Sequence, residues 1–395
     1  MRGFWIKNSV LGSIKRFIRR LKKMLNVKIV FGGVVSYFYK KYCGRRGMSI
    51  IQKSAVLTYG VMAVLVGCVN NHSNSIAVEQ SVICNEDVGI TYICGLMNAE
   101  DLLRLGDSEM ILTSGMSSEG VNGHLYLVNT RDDSWEDLVE STNFSQDFDN
   151  ALYPACSDQF NVGNFSAHGL ALKEIEPKFF DLYITSHGAR EAIEIFNLDL
   201  RSGSATLTWR GCVPLDESIM HNSVVILDGG GFMTTQFMVW AEGLASVVAG
   251  EANGSVVEWH PGGVPETVLG TELSAPNGIV ISDDERYLFV AALGAREIVR
   301  FDLSKEPITK AAVSTGSTPD NVRWGEPGKL LTAGGNIDGN GWSVVEVDAI
   351  GMGSVKVGGM NGAAKMQGIS SALQIGDKIW VGTYNGDRIG YFTKQ

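Results

Sequence analysis

Short apolar runs with period-two alternation follow one another through the chain from about residue 95, separated by turn-forming residues and with no long helical period between them. Six of these runs open on a polar residue. Glu100-Asp101 precedes Leu102–Leu105, His168 precedes Gly169–Leu172, and Asn222 precedes Ser223–Leu227. Asn277 precedes Gly278–Ser282, Asp320-Asn321 precedes Val322–Trp324, and Gln367 precedes Gly368–Leu373. Further strands complete each unit, most plainly Tyr287–Ala292 followed by Arg296–Leu303. Self-similarity at roughly 40–50 residues with strands as the repeating element predicts an all-β fold, a six-bladed β-propeller over residues 96–395. In such a ring the first strand of each blade lines the central channel. The six polar openings are therefore expected around one axis.

Residues 1–95 read differently. Fourteen of the 33 Lys and Arg fall in residues 1–68, which hold no Asp or Glu, leaving 19 basic against 43 acidic residues in the body. So acidic a body is a poor surface for a polyanion, and nucleic-acid binding is not expected of it. Residues 1–47 form a basic extension, either an added start ahead of Met48 or a helix for an anionic membrane surface. Residues 48–68 have the order of a secretory signal: Lys53, the apolar run Ala55–Val66, then Gly67 and Cys68. The ending Leu65–Cys68 resembles the lipobox of bacterial lipoproteins, in which the thiol of the cysteine receives the lipid. Residues 69–95 follow as a polar tether and lead-in strand. The reading is an exported protein, lipid-anchored through Cys68 to the bacterial envelope, on the periplasmic side of the outer membrane. Of the remaining cysteines, Cys84, Cys94, Cys156 and Cys212 lie in the body without a CxxC pair. Disulfides suit an exported chain, and three connectivities are open.

The chemistry is carried by oxygen. Glu100, Asn222, Asn277, Asp320 and Asn321 offer carboxylates and amide carbonyls, the hard ligands that Ca2+ prefers. One Asn before a strand is ordinarily a turn residue bonding its own backbone. Five such residues at equivalent places in successive blades are not explained that way. A Gly-x-Ser-x-Gly elbow in strand-turn-helix context, a phosphate-binding loop and a dinucleotide fingerprint are all missing. The aromatic residues Trp209, Trp240, Trp259, Trp324 and Trp380 are expected to pack between blades. The long acidic interval 130–165 is expected to loop over one face as a lid.

The segments Ala99–Leu102, His168–Leu170, Ile184–His187, His221–Val224, Ala275–Ile279 and Pro319–Val322 resemble, in order, the blocks of the paraoxonase (arylesterase/lactonase) family. That family stands with the gluconolactonases and senescence-marker-protein-like proteins among calcium-dependent six-bladed propellers. The resemblance spans residues 95–393 and implies a calcium-dependent hydrolase acting on a small-molecule ester or lactone. It implies that Glu100, Asn222, Asn277, Asp320 and Asn321 hold the catalytic calcium, with His168 as base and His187 as its partner. A second, structural calcium is implied at Asp101 and the carbonyl of Leu170, although Ser223 stands where the family has a third ligand, an Asp. No cysteine follows Tyr391, so the ring must close by strand pairing, with the lead-in strand completing the last blade. A non-catalytic propeller that uses calcium for rigidity and binds a ligand or protein partner is the other reading.

Overall fold

The structure, a computed structural model, describes residues 82–394 apart from 88, 158, 363 and 364. The basic extension, the signal-like segment with Cys68 and the start of the tether lie outside the described residues. Among the described residues six sheets follow in chain order, antiparallel except for one edge strand in the second. The first blade consists of Ala99–Arg104, Met110–Gly115, His124–Asn129 and Ser134–Asp137. The third, fourth and fifth, beginning at Ile219–Ile226, Pro276–Ile281 and Val322–Trp324, have four strands each. In the second, Phe165–Glu176, Phe179–Gly188, Ala192–Asp199 and Thr206–Pro214 are joined by Phe144–Gln146, which runs parallel to the outer strand.

The sixth sheet takes strands from two distant parts of the chain. Ile369–Ile375, Lys378–Thr383 and Arg388–Thr393 pair in order, and Ile90–Cys94 then lies antiparallel to Arg388–Thr393, with Val82–Asp87 outside it. The lead-in strand thus closes the ring. A disulfide between Cys84 and Cys94 pins those two strands together.

Burial grades outward along each blade. First strands such as Pro276–Ile281 are buried almost throughout, whereas last strands such as Thr309–Ser314 are largely exposed. The apolar faces between blades hold large side chains including Trp209, Trp380, Phe232, Phe289 and Phe301.

Four of the six polar openings stand inside these first strands, at breaks in their pairing, while Asp320-Asn321 and Gln367 stand just ahead of theirs. Register shifts fall between Ala99 and Leu102, Ala167 and Leu170, His221 and Val224, and Pro276 and Ile279. Each shift is a β-bulge that frees Glu100-Asp101, His168, Asn222 or Asn277 from the ladder and re-aims its side chain. The backbone groups so released are met by hydroxyls. Ser114 accepts from the Asp101 N–H at 3.0 Å, and Thr235 accepts from the Ser223 N–H at 3.1 Å. Thr235 also donates to the Asn277 carbonyl at 2.7 Å, Thr332 to that of Asn321 at 2.7 Å, and Ser370 to that of Glu100 at 2.6 Å. The bonds from Thr235 to Asn277 and from Ser370 to Glu100 tie neighbouring blades at the depth of the site, and the others brace a first strand against the second strand of its own blade.

Close backbone approach adds to the tie. A Cβ on Gly278 would stand 2.4 Å from the Val322 nitrogen and 2.5 Å from the Asn321 Cα, where backbone cannot give way. Gly278→Ala is expected to cost about 1–3 kcal/mol through overpacking. Gly353→Ala, with nothing within 4 Å, should be close to neutral. Urea unfolding midpoints of the two variants check this; equal midpoints would show that the inner ring yields freely.

Candidate functional site

The first strands converge on a cavity of about 960 Å³. Its wall includes Glu100, His168, Asn222, Asn277, Asp320 and Gln367, one residue from each of the six openings. Asn321 stands beside them, its amide donating to Glu100 Oε1 at 2.6 Å. The structure therefore brings together the five residues expected to hold calcium. Burial first, and then the carboxylates of Asp101 and Asp320, push Glu100 well above the usual carboxylate range. Burial raises Asp320 to about 7 against a hydrogen bond from Asn277, with repulsion from Asp101 adding to it.

The donor set fits a hard cation. Glu100 Oε2, Asn222 Oδ1, Asn277 Oδ1 and Asn321 Oδ1 are all buried without a hydrogen-bond partner. Native interiors seldom leave such oxygens unsatisfied, since each costs about 1–3 kcal/mol. Four together, all oxygen and none nitrogen or sulfur, match what Ca2+ requires. Another titratable cluster, His124, Asp137 and Glu140, is partly exposed and already contains a His124–Asp137 ion pair of 2.6 Å.

Behind the cavity runs a buried chain of nitrogen and oxygen. His168 Nδ1 lies 2.8 Å from His187 Nε2, and His187 Nδ1 lies 2.7 Å from Glu191 Oε1. Trp240 Nε1 donates to the same Glu191 oxygen at 3.1 Å. On the cavity side, His168 Nε2 is 3.2 Å from Asn222 Nδ2 and 3.7 Å from Glu100 Oε1. Burial, and then the neighbouring His187, hold the His168 imidazole well below its ordinary pKa, so the ring is neutral near pH 7.

Asp101 and the Leu170 carbonyl, where a second calcium was expected, are engaged by an internal cation. Arg323 donates through both Nε and Nη2 to the Asp101 carboxylate, to the Leu102 carbonyl at 3.1 Å and to the Leu170 carbonyl at 3.0 Å. The Leu170 N–H donates to Asp101 as well, at 2.8 Å. With both of those oxygen donors satisfied by a planar guanidinium, this pair does not fit a metal ion.

Glu191, Trp240 and Arg323 are the residues that the sequence reading passed over as parts of the site. Trp240 belongs to the cavity wall and the histidine chain, in place of the inter-blade packing expected of it. Together with Met116, Met220, Phe237, Met238 and Leu244 it makes one side of the cavity apolar. Leu244 and Val247 come from a short helical excursion that includes Ala245–Ala249. Among the described residues of the interval 130–165, none lines the cavity, so the lid expected there is not seen over it. Phe160 of that interval packs on Phe165 and Phe196, at ring-centroid distances of 4.9 and 5.2 Å, and Cys156 is disulfide-bonded to Cys212. Those contacts hold it against the second blade.

No protein-family model matches the chain, and no curated protein matches it in sequence. Among solved structures it is similar to a luciferin-regenerating enzyme, at 13% identity over 76% of this chain and 92% of that one, with a TM-score of 0.49. It is similar to a gluconolactonase from Xanthomonas campestris at 15% identity, over 83% of this chain and 99% of that one, with a TM-score of 0.47. A virginiamycin B lyase from Staphylococcus aureus matches at 13% identity, over 79% and 94% of the two chains, with a TM-score of 0.42.

Proposed function

We propose that the protein is a calcium-dependent hydrolase of lactones or esters. The observation that carries this reading is the set of four buried oxygens without partners, beside Asp320 and against the bare edge of a neutral histidine. Glu100, Asn222, Asn277, Asp320 and Asn321 would hold the ion. Calcium bound there would supply a Lewis acid that polarises a carbonyl oxygen and stabilises the negative charge it gains.

The chain's own groups do the rest. His168 Nε2 faces the cavity as a proton acceptor, and a neutral imidazole can take a proton from water as that water attacks the carbonyl. His187 supports His168 from behind at 2.8 Å. Methionine, phenylalanine and tryptophan in the cavity wall favour an alkyl or aryl substituent over a polyhydroxylated one, since apolar area leaving water contributes about 25 cal/mol per Å².

The test is hydrolysis of a panel of lactones and aryl esters by purified protein, with calcium or with a chelator. Calcium-dependent turnover, strongest on substrates with apolar substituents, is expected. Absence of turnover across the panel, with calcium still raising the melting temperature, would overturn the hydrolase and favour the binding propeller.

Calcium should also stabilise the fold by mass action, by about 2.7 kcal/mol at a hundredfold excess over its Kd. The gain should shrink as the pH falls from 8 to 6. With its folded pKa near 7 and its unfolded value near 3.8, Asp320 binds a proton more tightly in the cation-free folded state. Acidification through pH 7 therefore relieves the cation-free protein while protons compete with the ion. Thermal melts at pH 8, 7 and 6, with calcium or chelator, check this, and Asp320→Ala should remove most of the response. A calcium shift that is independent of pH would place the ion away from these carboxylates.

A further inference from the structure

The hydrogen bonds between Trp240 and the cavity are all satisfied by one direction of donation, running from the cavity toward Glu191. Indole N–H only donates, so Glu191 Oε1 is an acceptor toward Trp240. Burial works to raise the Glu191 pKa, but His187 and His221 beside it outweigh burial and hold the group ionised. A carboxylate accepts only, so His187 Nδ1, 2.7 Å away, must carry the proton that it donates. The His168 ring is neutral, and the Asn222 amide donating to its Nε2 at 3.2 Å leaves its proton on Nδ1, facing His187 Nε2. At 2.8 Å that nitrogen accepts the proton.

We propose that Glu191 is the positioning residue of this site: building on the hydrolase reading above, it sets both imidazoles with Nδ1 protonated and keeps the His168 Nε2 lone pair toward the cavity. The carboxylate also has a use once the proton moves. A proton taken from water at His168 Nε2 lets the one on His168 Nδ1 pass to His187 Nε2. The positive charge then rests on the ring that touches Glu191. His168 is then neutral with its proton on Nε2, and it gives that proton to the leaving oxygen as His187 Nε2 returns the other to His168 Nδ1, which restores the starting arrangement. The carboxylate is buried, and its second oxygen, Oε2, stands 3.8 Å from His221 Nδ1 without a hydrogen bond. Trp240 joins this chain to the substrate wall, since it lines the cavity, donates to Glu191 and meets the His187 ring edge-on at 5.7 Å.

The wild-type full-length protein, labelled with 15N at histidine, gives the first measurement. Two-bond proton–nitrogen spectra, assigned with His168→Gln and His187→Gln, should show both rings protonated at Nδ1. A His168 ring protonated at Nε2 would mean that the chain runs the other way, and would overturn the proposal. The second measurement uses E191Q and E191D with an aryl acetate and an alkyl-substituted δ-lactone as probes. Losing the charge in E191Q should lower kcat on the order of 10²-fold while KM stays within about twofold, and E191D should recover part of the loss. An E191Q variant with full kcat removes Glu191 from the mechanism. A wild type inactive on both probes counts against the hydrolase alone, and the spectra still decide the proton arrangement.

Discussion

Arg323→Ala should destabilise the protein by about 3–5 kcal/mol, the cost of leaving a buried charge without its partner. Arg323 is buried, as is Asp101, and its guanidinium gathers that carboxylate and the carbonyls of Leu102 and Leu170 into one network. Removing it strands Asp101, whose neighbour Glu100 is itself a buried carboxyl. Lysine should not substitute, because a point charge with three donors cannot reproduce the planar fork. Pairing Arg323→Met with Asp101→Asn removes both charges and should recover part of the loss. Urea unfolding of the single and double variants forms a double-mutant cycle, in which contacting residues show coupling. Equal losses in Arg323→Met and the double variant would mean that the shape of the side chain, and not its charge, holds the three blades it touches.

His168→Gln should cut turnover by about 10²- to 10⁴-fold, the range for loss of a general base. Glutamine keeps polar contact with Asn222 and His187 but cannot hold a proton taken from water at neutral pH. The calcium-induced rise in melting temperature should survive, because the five oxygen-bearing residues are untouched. Steady-state kinetics and thermal melts on the same preparation separate the two effects. Full activity in this variant would assign water activation elsewhere, and loss of the calcium shift would make His168 part of the cation site.

The propeller was legible because its repeating sign is local: a polar residue interrupting a short apolar strand. That sign reflects a bulge on the strand nearest the axis, and bulge residues at equivalent places in successive blades face a common space. Glu191 was hidden because it follows His187 by four residues in a turn, and only the fold of that turn sets the two side chains together. Trp240 reaches Glu191 across 49 residues of sequence and reads locally as one more strand-end aromatic. Arg323 did leave a sign, a cation in the innermost strand of an otherwise acidic site, yet its partner Asp101 lies 222 residues away. The interval 130–165 was misjudged because acidity dominated the reading. Phe144, Tyr153, Phe160 and Cys156 within it were the marks of a segment that packs.

The pairing of Ile90–Cys94 with Arg388–Thr393 also constrains when the molecule can finish folding. The sixth sheet cannot be completed until Arg388–Thr393 has left the ribosome, so Ile90–Cys94 must wait for all the chain that separates the two strands. During that wait Ile93, fully buried in the finished ring, lacks the part of its apolar cluster that Leu373, Trp380 and Ile389 supply. Contacts this distant in sequence slow folding, and uncovered strand edges invite association with other chains. A chain in which Arg388–Thr393 has not yet met Ile90–Cys94 leaves the ring open between its first and sixth blades, a species that a chaperone or protease can distinguish from the closed ring by that exposed edge alone.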